Sequence, residues 1–117
     1  MDVRHELAGH DRQILVVHLP PAVNHITAEP LRQAIEQRLP VRDDAALVLD
    51  ASEVSLITSV GIAMLLQVQE LCDDRAARML LASLAPPVRK MLALLKLDAR
   101  FRSADSLDEA VRDLDNA

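Results

Sequence analysis

Aromatic side chains are almost missing from this chain. Among 117 residues there is one Phe, Phe101, and neither Tyr nor Trp, so the core is expected to be aliphatic. Glycine is nearly as scarce. Gly9 and Gly61 stand alone, which excludes a Gly-rich phosphate-binding loop. A single cysteine, Cys72, excludes an internal disulfide and any Cys-based metal site. There is no nucleophile elbow and no paired acid–base constellation, so an enzyme is not expected. No apolar run approaches the length of a membrane span. The first six residues are charged and lack an apolar secretory core, which points to a cytoplasmic protein. Positive charge is also short. The net charge is −5 and the Lys and Arg residues are scattered. A general nucleic-acid binder needs them clustered, to displace phosphate counterions. Acidity permits a basic partner without identifying one. His5, His10, His18 and His25 lack the helical pair spacing of a zinc protease and read as surface or loop residues. Neither metal nor cofactor is expected.

What remains is an ordinary globular composition, with half the residues hydrophobic and a quarter charged. One domain spanning 1–117 is the natural expectation. Alternation over 3–7 suggests a short strand, followed by a turn over 9–12. The β-branched run over 14–19 reads as a buried strand ended by Pro20 and Pro21. Leu31, Ile35 and Leu39 recur at a spacing of four and predict a helix over 28–39. Thr27 is its candidate N-cap, and Pro30 falls in the tolerant first turn. A polar connection over 42–44 leads to a continuous apolar strand, 46–50, of the kind that helices cover. A second helix is expected over 60–72 and a strand over 79–82. Pro86 and Pro87 open a third helix with Val88, Met91, Leu92 and Leu95 on one side. Phe101 is placed in a very short last strand. Ser106 and Glu109 form a capping box for a terminal helix with Leu107, Ala110, Val111 and Leu114 inward. Asp50 is expected to cap the loop that follows it, and Cys72 to pack as a small apolar group. The fold class is α/β: a mixed, mostly parallel sheet of four to five strands with about four helices.

One hydroxyl stands out chemically. Ser59 lies immediately before the strongly apolar second helix. The first backbone N–H groups of a helix are unpaired and its macrodipole end is positive. A phosphate is tolerated there, and it would add a charge of roughly −1.5 to −2. Gly61 lets backbone approach closely. The commonest role of Ser or Thr before a helix is capping, and taken alone the residues favour that role for Ser59 or Thr58. Helical geometry places Gly61, Leu65, Val68 and Cys72 on a stripe facing the sheet. Ile62, Leu66, Gln69 and Asp73 form another. Ile62 and Leu66 are either partly exposed and help dock a partner, or buried by a neighbouring helix.

Three segments carry a resemblance: 19–29, 47–62, and 83–92 followed by Leu97-Asp98 and 106–110. In order and spacing they resemble the STAS family of anti-sigma factor antagonists over nearly the whole chain. The second segment resembles that family's central strand and the Asp-Ser-Ser-Gly loop opening its second helix. What the resemblance implies is a single STAS-like domain working as a phosphorylation switch. In the family, an anti-sigma factor with serine kinase activity phosphorylates the first serine of that loop, and a serine/threonine phosphatase reverses it. The unphosphorylated form binds the anti-sigma factor and frees a sigma factor. That serine falls on Ser59, with Thr58 as runner-up acceptor, which reverses the preference for a simple cap. The implied partner surface comprises Asn24, His25, Thr58, Ser59, Gly61, Ile62 and Leu66. No nucleic acid and no direct membrane insertion are implied. This chain departs from the pattern at Thr58 (usually Asp), Val60 (Ser), Asn24 (Asp) and Lys96 (Gly). The lost carboxylates at 24 and 58 give some weight to an alternative: a non-catalytic STAS subunit or scaffold of a transporter or signalling assembly.

Overall fold

A computed structural model describes residues 2–8, 12–41 and 45–115. Strands β1 (Asp2–Ala8) and β2 (Arg12–His18) run antiparallel. A two-residue strand, β3 (Ala22–Val23), precedes helix α1 (Ala28–Arg38). Then come β4 (Ala46–Asp50), the short β5 (Leu56–Ile57) and α2 (Ser59–Asp74). The chain continues with β6 (Arg78–Ala82), α3 (Pro86–Leu94), β7 (Ser103–Ala104) and α4 (Leu107–Asp115). Apart from Arg12, the turn expected over 9–12 lies outside the described residues, as do His10 and the connection over 42–44.

The main sheet has the order β1-β2-β4-β6-β7, and every pair but the first is parallel. A helix lies between successive parallel neighbours in the chain, as parallel pairing requires. The expected α/β class, mostly parallel sheet and four helices are all present. Side-chain alternation along the strands divides the core. Leu15, Val17, Leu47, Leu49 and Leu81 join α1, α2 and α3 on one face. Ile14, Val16, Val48 and Leu80 meet Ala110 and Leu114 of α4 on the other. Both faces of β4 are covered, which is why its sequence is an unbroken apolar run. Each fully buried Leu, Ile or Val contributes about 1.5–3 kcal/mol.

Several local expectations give way. Thr27 occupies the N-cap position of α1 but makes no capping hydrogen bond. Its hydroxyl instead donates to the Ala22 carbonyl at 2.9 Å and accepts from Asn24 N–H at 3.0 Å. Of the apolar residues assigned to one side of α3, Val88 and Leu92 are buried but Met91 and Leu95 are exposed. A nine-residue helix packs only its narrow inward stripe. Phe101 is buried ahead of the last strand rather than in it. Ser106 Oγ accepts the Glu109 N–H at 3.1 Å, the first half of the capping box. Asp50 is 7 % exposed and caps Ser52 N–H at 3.1 Å, as expected. Its other oxygen holds His18 Nδ1 at 2.7 Å. His18 is therefore a half-buried residue tied to the sheet, because parallel pairing puts it opposite Asp50.

Candidate functional site

The candidate switch is built on the smaller sheet. Strands β3 and β5 pair in parallel, with Ala22 opposite Leu56 and Val23 opposite Ile57. The Pro21 carbonyl accepts from Ser55 N–H at 2.9 Å and Leu56 N–H at 3.2 Å. The Val23 carbonyl accepts Thr58 N–H at 3.0 Å. Two loops distant in sequence are thereby held side by side: Asn24 and His25 leave β3 where Thr58 and Ser59 leave β5.

Gly61 makes this arrangement possible. It is buried against Val23 and Ile57, and a Cβ there would fall 2.8 Å from Ile57 Cγ1 and 2.9 Å from Val23 Cγ1. It would come closer still to the Val23 carbonyl oxygen. The glycine is required by close backbone approach. Thr58 is the N-cap of α2, extended in backbone, and its Oγ1 accepts Gly61 N–H at 3.4 Å. The capping role falls to Thr58 and leaves Ser59 as the first helical residue, with an exposed side chain. No acidic residue occupies the first turn of α2, and the cap is neutral. The first turn therefore supplies no charge of its own to offset the positive end of the helix dipole.

Asn24 organises its loop. Its Oδ1 accepts from Ile26 N–H at 3.0 Å and Thr27 N–H at 3.3 Å, and its carbonyl accepts Ala28 N–H. It performs the end-capping that Thr27 was expected to provide. His25 is exposed on the same loop. Asn24, His25, Thr58, Ser59 and Gly61 are thus brought to one corner.

The apolar part of the expected surface is different. Ile62 is 5 % exposed and belongs to the core, so the expectation of a partly exposed Ile62 fails. The inward face of α2 is wider than a single stripe and includes Gly61, Ile62, Met64, Leu65, Val68 and Cys72. Leu66 is half-buried against the same core. Gln69 donates to the Arg100 carbonyl rather than facing a partner. The exposed apolar residues nearest Ser59 in the chain are Val60 at 47 % and Leu56 at 53 %, with Ile26 at 68 % on the facing loop. Sequence reasoning missed these three. A signal existed for Val60: it heads the outward stripe that continues through Ala63, Gln67, Glu70 and Asp74, where an apolar residue is out of place.

A sequence profile described as "Mlab, STAS domain" matches residues 6–107. The chain belongs to the STAS family. This STAS chain is 24 % identical over 83 residues to an anti-sigma F factor antagonist from Paenibacillus polymyxa, covering 71 % of each. Its structure resembles an anti-sigma factor antagonist from Mycobacterium paratuberculosis, with 27 % identity and a TM-score of 0.73. That match covers 97 % of this chain and 94 % of the other. It also resembles a sulfate transporter family protein from Wolinella succinogenes, with 18 % identity and a TM-score of 0.75, over 86 % and 84 % of the two chains. Among the described residues of this STAS chain, no helix is long and apolar enough to cross a membrane.

Proposed function

We propose that this STAS protein is an anti-sigma factor antagonist: a single non-catalytic module, 1–117, whose binding is switched by phosphorylation of Ser59. The names of two relatives support the general role. The observation that carries the switch is the division of labour between neighbours. Thr58 spends its hydroxyl on the helix cap, while Ser59 presents its own to solvent at a helix start with no acidic residue in its first turn. Kinase access requires such exposure. The added dianion meets favourable dipole charge, so the fold tolerates it while the presented surface changes.

In this reading the unphosphorylated protein binds a kinase-type anti-sigma factor. Docking uses the Asn24–His25 loop, the start of α2, and the exposed Ile26, Leu56 and Val60 in place of Ile62. A phosphate at Ser59 puts charge next to Val60 and disfavours burial of that patch. A serine/threonine phosphatase resets the switch.

The test is incubation with the cognate anti-sigma kinase and ATP. Phosphate incorporation is expected in the native protein, to be absent in Ser59→Ala and to persist in Thr58→Ala. Binding without ATP is expected to drop in Val60→Asp, with the fold retained. Incorporation that survives Ser59→Ala sinks the assignment. A second reading rests on the likeness to a transporter-family protein and on Asn24 and Thr58 standing in place of carboxylates. It makes the chain a non-catalytic subunit of a transporter or signalling assembly. Stable co-purification with a transporter ATPase from the native host, with no phosphate on Ser59, would favour it.

A further inference from the structure

A second concave region lies at the carboxyl ends of β2 and β4, the end of a parallel sheet at which α/β folds take their ligands. It is an open cleft of about 690 Å³ between the strand ends, the start of α1 and the loop after β4. This volume lies within the usual range for small-molecule sites, roughly 300–1,000 Å³, and exceeds what one protein side chain fills. We propose that this cleft binds a small organic cation with an aliphatic body. The inference does not depend on Ser59 or on partner switching.

The chemistry of the walls selects that class. Pro20, Ile26, Pro30 and Leu31 supply an apolar surface. Ile26 stands on the open rim, where its aliphatic surface is accessible to an occupant. The polar side is acidic. Glu53 lines the cleft with His18, Thr27 and Ser52, and no Lys or Arg does so among the described residues. Asp50, the buried carboxylate, stands directly behind, bonded to His18 Nδ1 and Ser52 N–H. His18 also lines the cleft, but its Nδ1 is engaged by Asp50 and can at most balance that one carboxylate, so an anionic ligand would still meet the charge of Glu53. An ammonium head on an alkyl body meets Glu53 at one end and the proline–isoleucine wall at the other. The frame is also preformed, because Asn24 Oδ1 pins the Ile26 and Thr27 amides and Asp50 pins the Ser52 amide. Little ordering cost then falls on binding.

The experiment is an NMR titration of the 15N-labelled full chain with three probes of one body and three charges: hexylamine, hexan-1-ol and hexanoate, at neutral pH and fixed low salt. Hexylamine is expected to shift the Ile26, Thr27 and Ser52 amides. It is expected to bind about five-fold more tightly than the alcohol, with hexanoate weakest, the scale of one partly exposed charge pair. Glu53→Gln, an exposed position, is expected to abolish the preference for the amine while leaving the alcohol unchanged, which also reports an intact fold. Hexanoate binding as tightly as hexylamine, or amide shifts confined to other regions, overturns the proposal. So does an amine preference that survives Glu53→Gln. Titration of Ser59→Ala is expected to match the native protein, so a failed switch and a failed cleft give different results.

Discussion

The start of α2 and the whole of α3 make an instructive pair. Helix α2 follows β5 of the small sheet and α3 follows β6 of the main one, yet both pack on the same core face. At the start of α2 the backbone is held by the Val23 carbonyl, by the Thr58 cap, and by a glycine pressed onto β3. Helix α3 begins at Ala85, which has no side-chain cap, and relies on Pro86 and Pro87 for its first turn. It ends at Leu94; one residue past its Leu95 C-cap, Lys96 is held at φ 60°, and Met91, Leu94 and Leu95 are left in water. Specific contacts are concentrated at the start of α2, where the Ser59 side chain is exposed. Helix α3 is held mainly by Val88 and Leu92, and tolerates a strained C-terminus.

That contrast is open to direct attack. The largest effect is expected from Gly61→Ala, which drives a methyl into the Val23 carbonyl. A loss of about 1–3 kcal/mol should appear as a lower denaturant midpoint. An unchanged midpoint would mean β3 moves freely and the corner is not rigid. Thr58→Ala removes the cap and is expected to cost about 1 kcal/mol by the same measurement. Equal stability would show that Oγ1 contributes nothing at its 3.4 Å separation. Lys96→Gly should act in the opposite direction, stabilising by up to about 1 kcal/mol, since glycine adopts this left-handed geometry without a Cβ penalty. A decrease would mean the Lys96 stem packs more strongly than its strain costs. Ser59→Glu places a carboxylate at the start of α2. It should raise the thermal midpoint by the equivalent of about 0.3–1 kcal/mol in low salt, fading as salt is added. Destabilisation there would contradict an open, positive helix start. The smallest change is expected for Leu94→Gln on α3, within about 0.5 kcal/mol, because the side chain is already exposed. A loss of 2 kcal/mol or more would show that α3 is as tightly specified as α2.

Much of the architecture was legible from short-range patterning. The apolar runs over 14–19 and 46–50 announce buried strands, and the spacing of Leu31, Ile35 and Leu39 announces α1. Gly61 reads in the sequence as a place of close approach, but nothing there points to Val23 as the neighbour. Cys72 was placed in the core. Burial does push its thiol up to about 12, so at neutral pH it is an inert packing group. Local patterning misleads in two ways: for Thr27 and His18 a partner in another element decides the role, while for Ile62, Met91 and Leu95 the width of the packed helix face does. Ile62 is buried because α2 packs inward over a broad face. His18 is tied down because strand register sets it opposite Asp50.

The order of residues was enough to determine the α/β class, the sheet-facing stripe of α2 and the position of Ser59 at a helix start. These depend on periodicity and on contacts within a few residues. Only the tertiary structure decided which hydroxyl caps and which is displayed, which apolar side chains stay in water, and that a cleft opens beside Glu53. Those outcomes turn on register between strands 32 to 35 residues apart, and local periodicity carries no record of such pairings.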